Sequence, residues 1–150
     1  MAEISEEALR GYWKEHREQL RQSETQRSTL TNILLVITAA FSALIVQQRF
    51  SLYVMPLCIF VSLIGLYGAV VVSKYYERAS YHLSQARALT RDLAELGVLA
   101  TDERLVQARA DHYRAFPRMH RIRLHRLWVF LHLATGLYGL SLLAVCVVVA

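Results

Sequence analysis

The sequence predicts an all-α, polytopic membrane protein. Its parts are three transmembrane helices, an N-terminal helix and a cytoplasmic helical hairpin. The first observation behind this is the placement of charge. No Asp, Glu, Lys or Arg lies between Arg27 and Arg49, between Arg49 and Lys74, or after Arg126, leaving uncharged runs of 21, 24 and 24 residues. A hydrocarbon core roughly 30 Å thick takes about 20 helical residues to cross, so each run is long enough. The second is composition: 55% of the 150 residues are hydrophobic and 19% are charged. Soluble domains carry about a quarter charged residues. A water-soluble globular domain is excluded, and three spans leave no room for a large catalytic domain. The third is the asymmetry of Lys and Arg. Five lie in residues 1–27, eleven from Lys74 to Arg126, and only Arg49 between the first two apolar runs. Basic residues collect on the cytoplasmic side. The expected topology has a cytoplasmic N-terminus, a tight outer hairpin, a cytoplasmic helical segment and an outer C-terminus.

The elements follow in order. Residues 1–29 form a cytoplasmic amphipathic helix, with Ser5 capping and Glu6 and Glu7 suiting the positive end of its dipole. Leu9, Trp13, His16 and Leu20 make one thin apolar face, which calls for a partner helix; the alternative is a surface-lying helix with Tyr12 and Trp13 at the bilayer interface. The acidic N-terminus is unlike a cleavable signal, so the first span is expected to be an uncleaved anchor. A transmembrane hairpin occupies 30–73, with spans at about 30–46 and 52–73. The second span starts near Pro56, where a missing amide is tolerated. Its helix continues past Lys74 without a breaker. Tyr76, Ala79, Leu83, Ala86, Thr90 and Leu93 keep the three-four spacing of a helix packed on another. Gly97 ends it. Thr101 is expected to cap a further helix, with Asp102 and Glu103 in its first turn, that runs to Phe116 before Pro117. Residues 74–126 are thus a cytoplasmic hairpin with a basic juxtamembrane end, and 127–150 are the third span.

Small and polar residues inside the spans fall on stripes. Thr31, Thr38 and Ser42 share a face of span one. Cys58, Ser62, Gly65, Ala69 and Ser73 share one in span two, and His132, Gly136, Gly139 and Leu143 one in span three. Small residues let helix backbones approach closely in lipid. Two readings of Thr38, Ser42, Ser62, Gly65, Ala69, His132, Gly136 and Gly139 therefore stand side by side. They hold the spans together, or they line a water-filled path in an oligomer. His132 is the one plainly titratable group within a span, which marks it as functional or as a hydrogen-bonding structural histidine. Gly65-Leu66-Tyr67-Gly68 recurs as Gly136-Leu137-Tyr138-Gly139, too short a match to claim an inverted repeat.

Arg114, Arg118, Arg121, Arg123 and Arg126, followed by Trp128, are candidates for contact with anionic lipid headgroups or a partner. Only Phe116 interleaves this run, which argues against nucleic acid. Cys58 and Cys146 sit in apolar runs as packing residues, without metal or disulfide spacing. No phosphate loop, zinc-protease motif or nucleophile elbow is present, so no catalytic, cofactor or metal site is expected and the chain does not read as an enzyme.

At Tyr75-Tyr76-Glu77-Arg78-Ala79-Ser80-Tyr81-His82, with Gln26-Arg27 before span one and Val46-Gln47-Gln48 after it, the chain resembles the SLATT-type bacterial membrane effectors of anti-phage conflict systems. The resemblance covers residues 10–95, and residues 118–150 depart from it by adding a third span. It implies an inner-membrane homo-oligomer that permeabilises the membrane once a partner, a nucleotide-signal sensor or an NTPase, detects infection. The alternative expectation is a non-conducting anchor that recruits a soluble partner through 74–126.

Overall fold

The computed structural model describes residues 5–97 and 103–149, and every regular element among them is helical. Helix α1 runs Glu6–Gln47, α2 Met55–Glu95, α3 Glu103–Ala115 and α4 Leu124–Val149, with 3-10 turns at Leu52–Val54 and Met119–Arg121. Three of these, Glu6–Gln47, Leu52–Glu95 and Leu124–Val149, are long and apolar enough to cross a membrane.

Each end has a local cause. The Ala8 amide donates to the Ser5 hydroxyl at 3.2 Å, and Glu6 pairs with Arg10 one turn on. Helix α1 closes through Arg49 and Phe50, both left-handed at φ 51° and 57°. The Phe50 amide donates to the Ile45 carbonyl and that of Arg49 to Val46. Helix α2 ends at Gly97, whose φ of +73° lets its amide return to the Ala94 carbonyl without a Cβ clash. Pro117, which lacks an amide, follows the end of α3. Thr101 and Asp102, expected to cap and lead α3, lie outside the described residues.

The boundary expected between an N-terminal helix and a first span at 29/30 is not marked in the backbone, because α1 is unbroken from Glu6 to Gln47. Nothing between these limits is Pro, and the one Gly lies far upstream at position 11.

The chain divides into two compact units. One comprises Met1–Glu24 and Glu77–Arg123. Within it the apolar face of α1 meets the seam of α2. Leu9, Ala79, Ala86 and Leu93 are buried, and the Trp13 indole donates to the Thr90 hydroxyl at 3.0 Å. The Arg78 guanidinium donates to the Gln19 side-chain oxygen, and the Gln19 amide passes the chain on to Glu15. A hairpin of α2 on α3 was the expectation. The α2 seam is instead matched by α1, while from 106 to 115 only Ala110 is even half-buried. The reason lies in composition. The face Leu9-Trp13-His16-Leu20 offers bulk to the alanines of α2, and α3 has only Leu105, Val106 and Tyr113 beyond alanine.

In this unit His16 and His82 meet Nδ1 to Nδ1 at 3.0 Å, so one ring donates and the other accepts. Burial, then the neighbouring His16 and Arg78, hold the His82 pKa below its usual value, with Glu15 opposing. Protonating both rings removes the acceptor. A depressed folded pKa means that the unfolded chain binds the proton first. Stability is therefore whole above the ordinary histidine range and falls as pH drops through it. We expect the unit to melt at lower temperature near pH 5.5 than near pH 7.5, around the free-histidine value of about 6.5. His82→Gln should flatten that dependence, and an unchanged pH slope in the variant would contradict the assignment.

The second unit comprises Thr25–Tyr76 and Leu124–Ala150. One end holds an apolar cluster of Ile45, Val54, Cys58, Leu142 and Cys146, flanked by Phe50, Met55, Leu57 and Leu143. Elsewhere its pattern is inverted relative to a soluble core. Arg27, Thr31, Thr38, His132 and Thr135 are buried, while Ile33, Val36, Leu63, Val70, Phe130, Leu137 and Val148 are exposed.

Candidate functional site: the interior seam of the three-helix unit

Helices α2 and α4 meet backbone to backbone. A Cβ at Gly65 would coincide with the backbone of Gly136, one at Gly139 with Ser62, and one at Gly68 with the His132 ring. Pairs 68/132, 65/136 and 62/139 run in opposite order, so the two helices are antiparallel. Further along the same line Cys58 and Cys146 bring their sulfurs to 3.8 Å. The recurring Gly-Leu-Tyr-Gly has a plain cause here. Its glycines lie in the seam, and the Leu-Tyr pairs point out, with Leu66 and Leu137 57% and 65% exposed. The repeat is one close interface, contributed to by both sides.

Helix α1 is held to this pair differently. His132, fully buried at 1% exposure, places Nε2 3.1 Å from the Thr31 hydroxyl. Thr31 donates its own hydrogen to the Arg27 carbonyl at 3.0 Å, so it is the histidine N–H that donates to Thr31. One turn away the Arg27 guanidinium carbon lies 5.3 Å from the centroid of the Trp128 ring. Near the same level Tyr76 of α2 stacks on His125 of α4, centroids 3.8 Å apart. Towards the apolar end Phe41 meets Phe60 at 5.5 Å.

The other sequence-expected residues can be placed one by one. Thr38 is buried and its hydroxyl donates to Leu34 of its own helix. Half-buried Ser42 donates likewise to Thr38, and Ser62 to Cys58. Each hydroxyl therefore satisfies itself one turn back. Ala69 is buried; Ser62, Gly65, Gly136 and Gly139 make the α2–α4 seam. Arg114, Arg118, Arg121, Arg123 and Arg126 are exposed, and Trp128 is half-buried under Arg27. Among the described residues no group of three or more His, Cys, Asp or Glu gathers.

Arg27 and Gly68 were not singled out as site residues in the sequence. The signal for Arg27 was its place as the last charge before the first uncharged run. For Gly68 it was the repeat.

Compared with known proteins, the chain matches no family model, no curated sequence and no solved structure.

Proposed function

We propose that the chain is a multi-pass protein of a bacterial inner membrane that assembles as a homo-oligomer and permeabilises that membrane. The N-terminus and residues 74–126 then face the cytoplasm and the C-terminus lies outside, following the Lys and Arg asymmetry. The inverted pattern of the three-helix unit supports the placement, since an apolar surface of this extent is solvated by acyl chains, not water.

One observation carries the permeabilising role: a hydroxyl stripe, a histidine and an arginine gather in the interior of an otherwise apolar unit. In the single chain that line is closed. Its opening falls on the Arg27–Thr31 end of α1, because there α1 is tied to α4 by a hydrogen bond and a cation–ring contact that water can replace. The α2–α4 seam is backbone contact that nothing replaces. The resemblance to SLATT-type effectors supports a role in anti-phage defence, with a soluble sensor or NTPase as trigger and anionic headgroups meeting the exposed arginines.

The test removes polarity without changing shape. Thr38→Val with Ser42→Ala should leave the protein in the membrane and lower ion flux from proteoliposomes several-fold, because an apolar constriction dewets. Equal flux from variant and wild type would contradict the stripe as the path.

A second reading, a non-conducting anchor for a soluble partner, is favoured by one specific feature. Val106, Tyr113, Phe116 and Met119 are each about half exposed or more along α3 and the turn after it, beside Arg109, Arg114 and Arg118. An anchor gives no flux from either protein.

A further inference from the structure

Among the described residues, Arg27 is a buried cation for which no ion pair is seen. It is 7% exposed and its buried Nε has no acceptor. The indole N–H of Trp128, the ring beneath it, is buried without an acceptor as well. Thr31 supplies neither, since its hydroxyl is already engaged with the Arg27 carbonyl and His132.

A guanidinium away from water is stable only when oxygens accept its N–H groups, preferably on an anion. The three-helix unit cannot provide one. Thr25–Tyr76 and Leu124–Ala150 contain no Asp or Glu, so neither this unit nor a second copy of it offers a carboxylate. The missing acceptor comes from outside the unit, and two adjacent N–H donors with one positive charge fit a phosphate. The level on the helices fits too. Arg27 is the last charge before an uncharged run, and Trp128 follows the last charge, Arg126, by two residues. Those are the positions of headgroups and of interfacial tryptophan.

We propose that Arg27 and Trp128 form a binding site for the phosphate of an anionic lipid at the end of the three-helix unit. The site rests on the membrane placement proposed above. Arg126, in the first turn of α4, adds to the positive field that draws such a lipid in preference to a zwitterionic one. The bound lipid would secure α1 on α4 at the end where His132 and Thr31 already join them.

The test is native mass spectrometry of the full chain purified in mild detergent and exchanged into phosphatidylglycerol or phosphatidylcholine. Wild type should retain phosphatidylglycerol in preference, and Arg27→Gln should lose it about tenfold, the worth of one charged hydrogen-bonded contact. Trp128→Phe, which keeps the ring and removes the N–H, should lower retention less. It serves as the readout if Arg27→Gln does not fold. Arg87→Gln with Arg91→Gln, two exposed cations on the far part of α2, should leave retention unchanged, separating a built site from general surface charge. Equal retention by Arg27→Gln or Trp128→Phe and wild type would overturn the site. Stabilisation of wild type by inorganic phosphate to the same degree as by phosphatidylglycerol would overturn the lipid as its source. Carbonate extraction of cell membranes separates the two failures. A chain that leaves the membrane fraction sinks the placement, and a retained chain without lipid preference sinks only the site.

Discussion

Gly65→Leu should separate α2 from α4 and leave a protein that reaches the membrane but does not pack. At Gly65 the obstacle to any Cβ is the Gly136 backbone with the His132 carbonyl, not a side chain that can swing aside. Overpacking a well-filled interface costs typically 1–3 kcal/mol, and a clash that displaces a whole helix belongs at about 3 kcal/mol or beyond. In a bilayer this loss has no hydrophobic compensation, since lipid tails are as apolar as leucine and helix association depends on close packing. The measurement is unfolding in mixed micelles, with α2–α4 proximity read from cross-linking of Cys58 to Cys146. Wild type should cross-link, because its sulfurs lie 3.8 Å apart. Gly65→Leu should not. Undiminished cross-linking in the variant would mean that the seam is not formed by these glycines. Gly11, around which a Cβ meets nothing within 4 Å, is the matching control and should tolerate alanine.

Gly68 and His132 should behave as a coupled pair. The imidazole occupies the volume that a side chain at 68 would need. Gly68→Ala is expected to destabilise by about 2 kcal/mol through overpacking. His132→Ala should cost a similar amount, about 2 kcal/mol, by leaving a cavity and releasing Thr31. Together the added methyl takes part of the vacated space, so the double variant should be more stable than the sum of the singles by about 1 kcal/mol or more. Additive losses would show that the ring does not lie against Gly68. Thr31→Val isolates the hydrogen bond alone and should cost less, about 0.6 kcal/mol, the usual worth of such a bond between membrane helices.

The long apolar helices were legible because charge is so costly in lipid that its absence over 21 or 24 residues leaves a sharp mark. The close contacts were half legible. Gly65, Gly136 and Gly139 stood out as small residues on helical stripes, but their pairing depends on the axial offset between α2 and α4, and no pattern within one helix carries that offset. His132 shows the same limit. Its burial was foreseeable from its place in an apolar run, whereas its partner Thr31 lies 101 residues away and emerges only with α1 docked. The partner of the α2 extension was misplaced onto α3 because adjacency in sequence stood in for adjacency in space. The bulk on Leu9, Trp13, His16 and Leu20 was the better guide. Arg27 was counted as a topological charge, and its burial could not be read from a residue that marks the end of a charged segment.

The most direct measurement is membrane potential in cells induced to express the chain, alongside a variant whose α1 ties are cut, Thr31→Val with Trp128→Leu. If α1 closes a polar line in a permeabilising protein, wild type or the released variant should depolarise the membrane and arrest growth, the variant at lower expression. Normal potential in both, with each protein abundant in the membrane fraction, would contradict a permeabilising function.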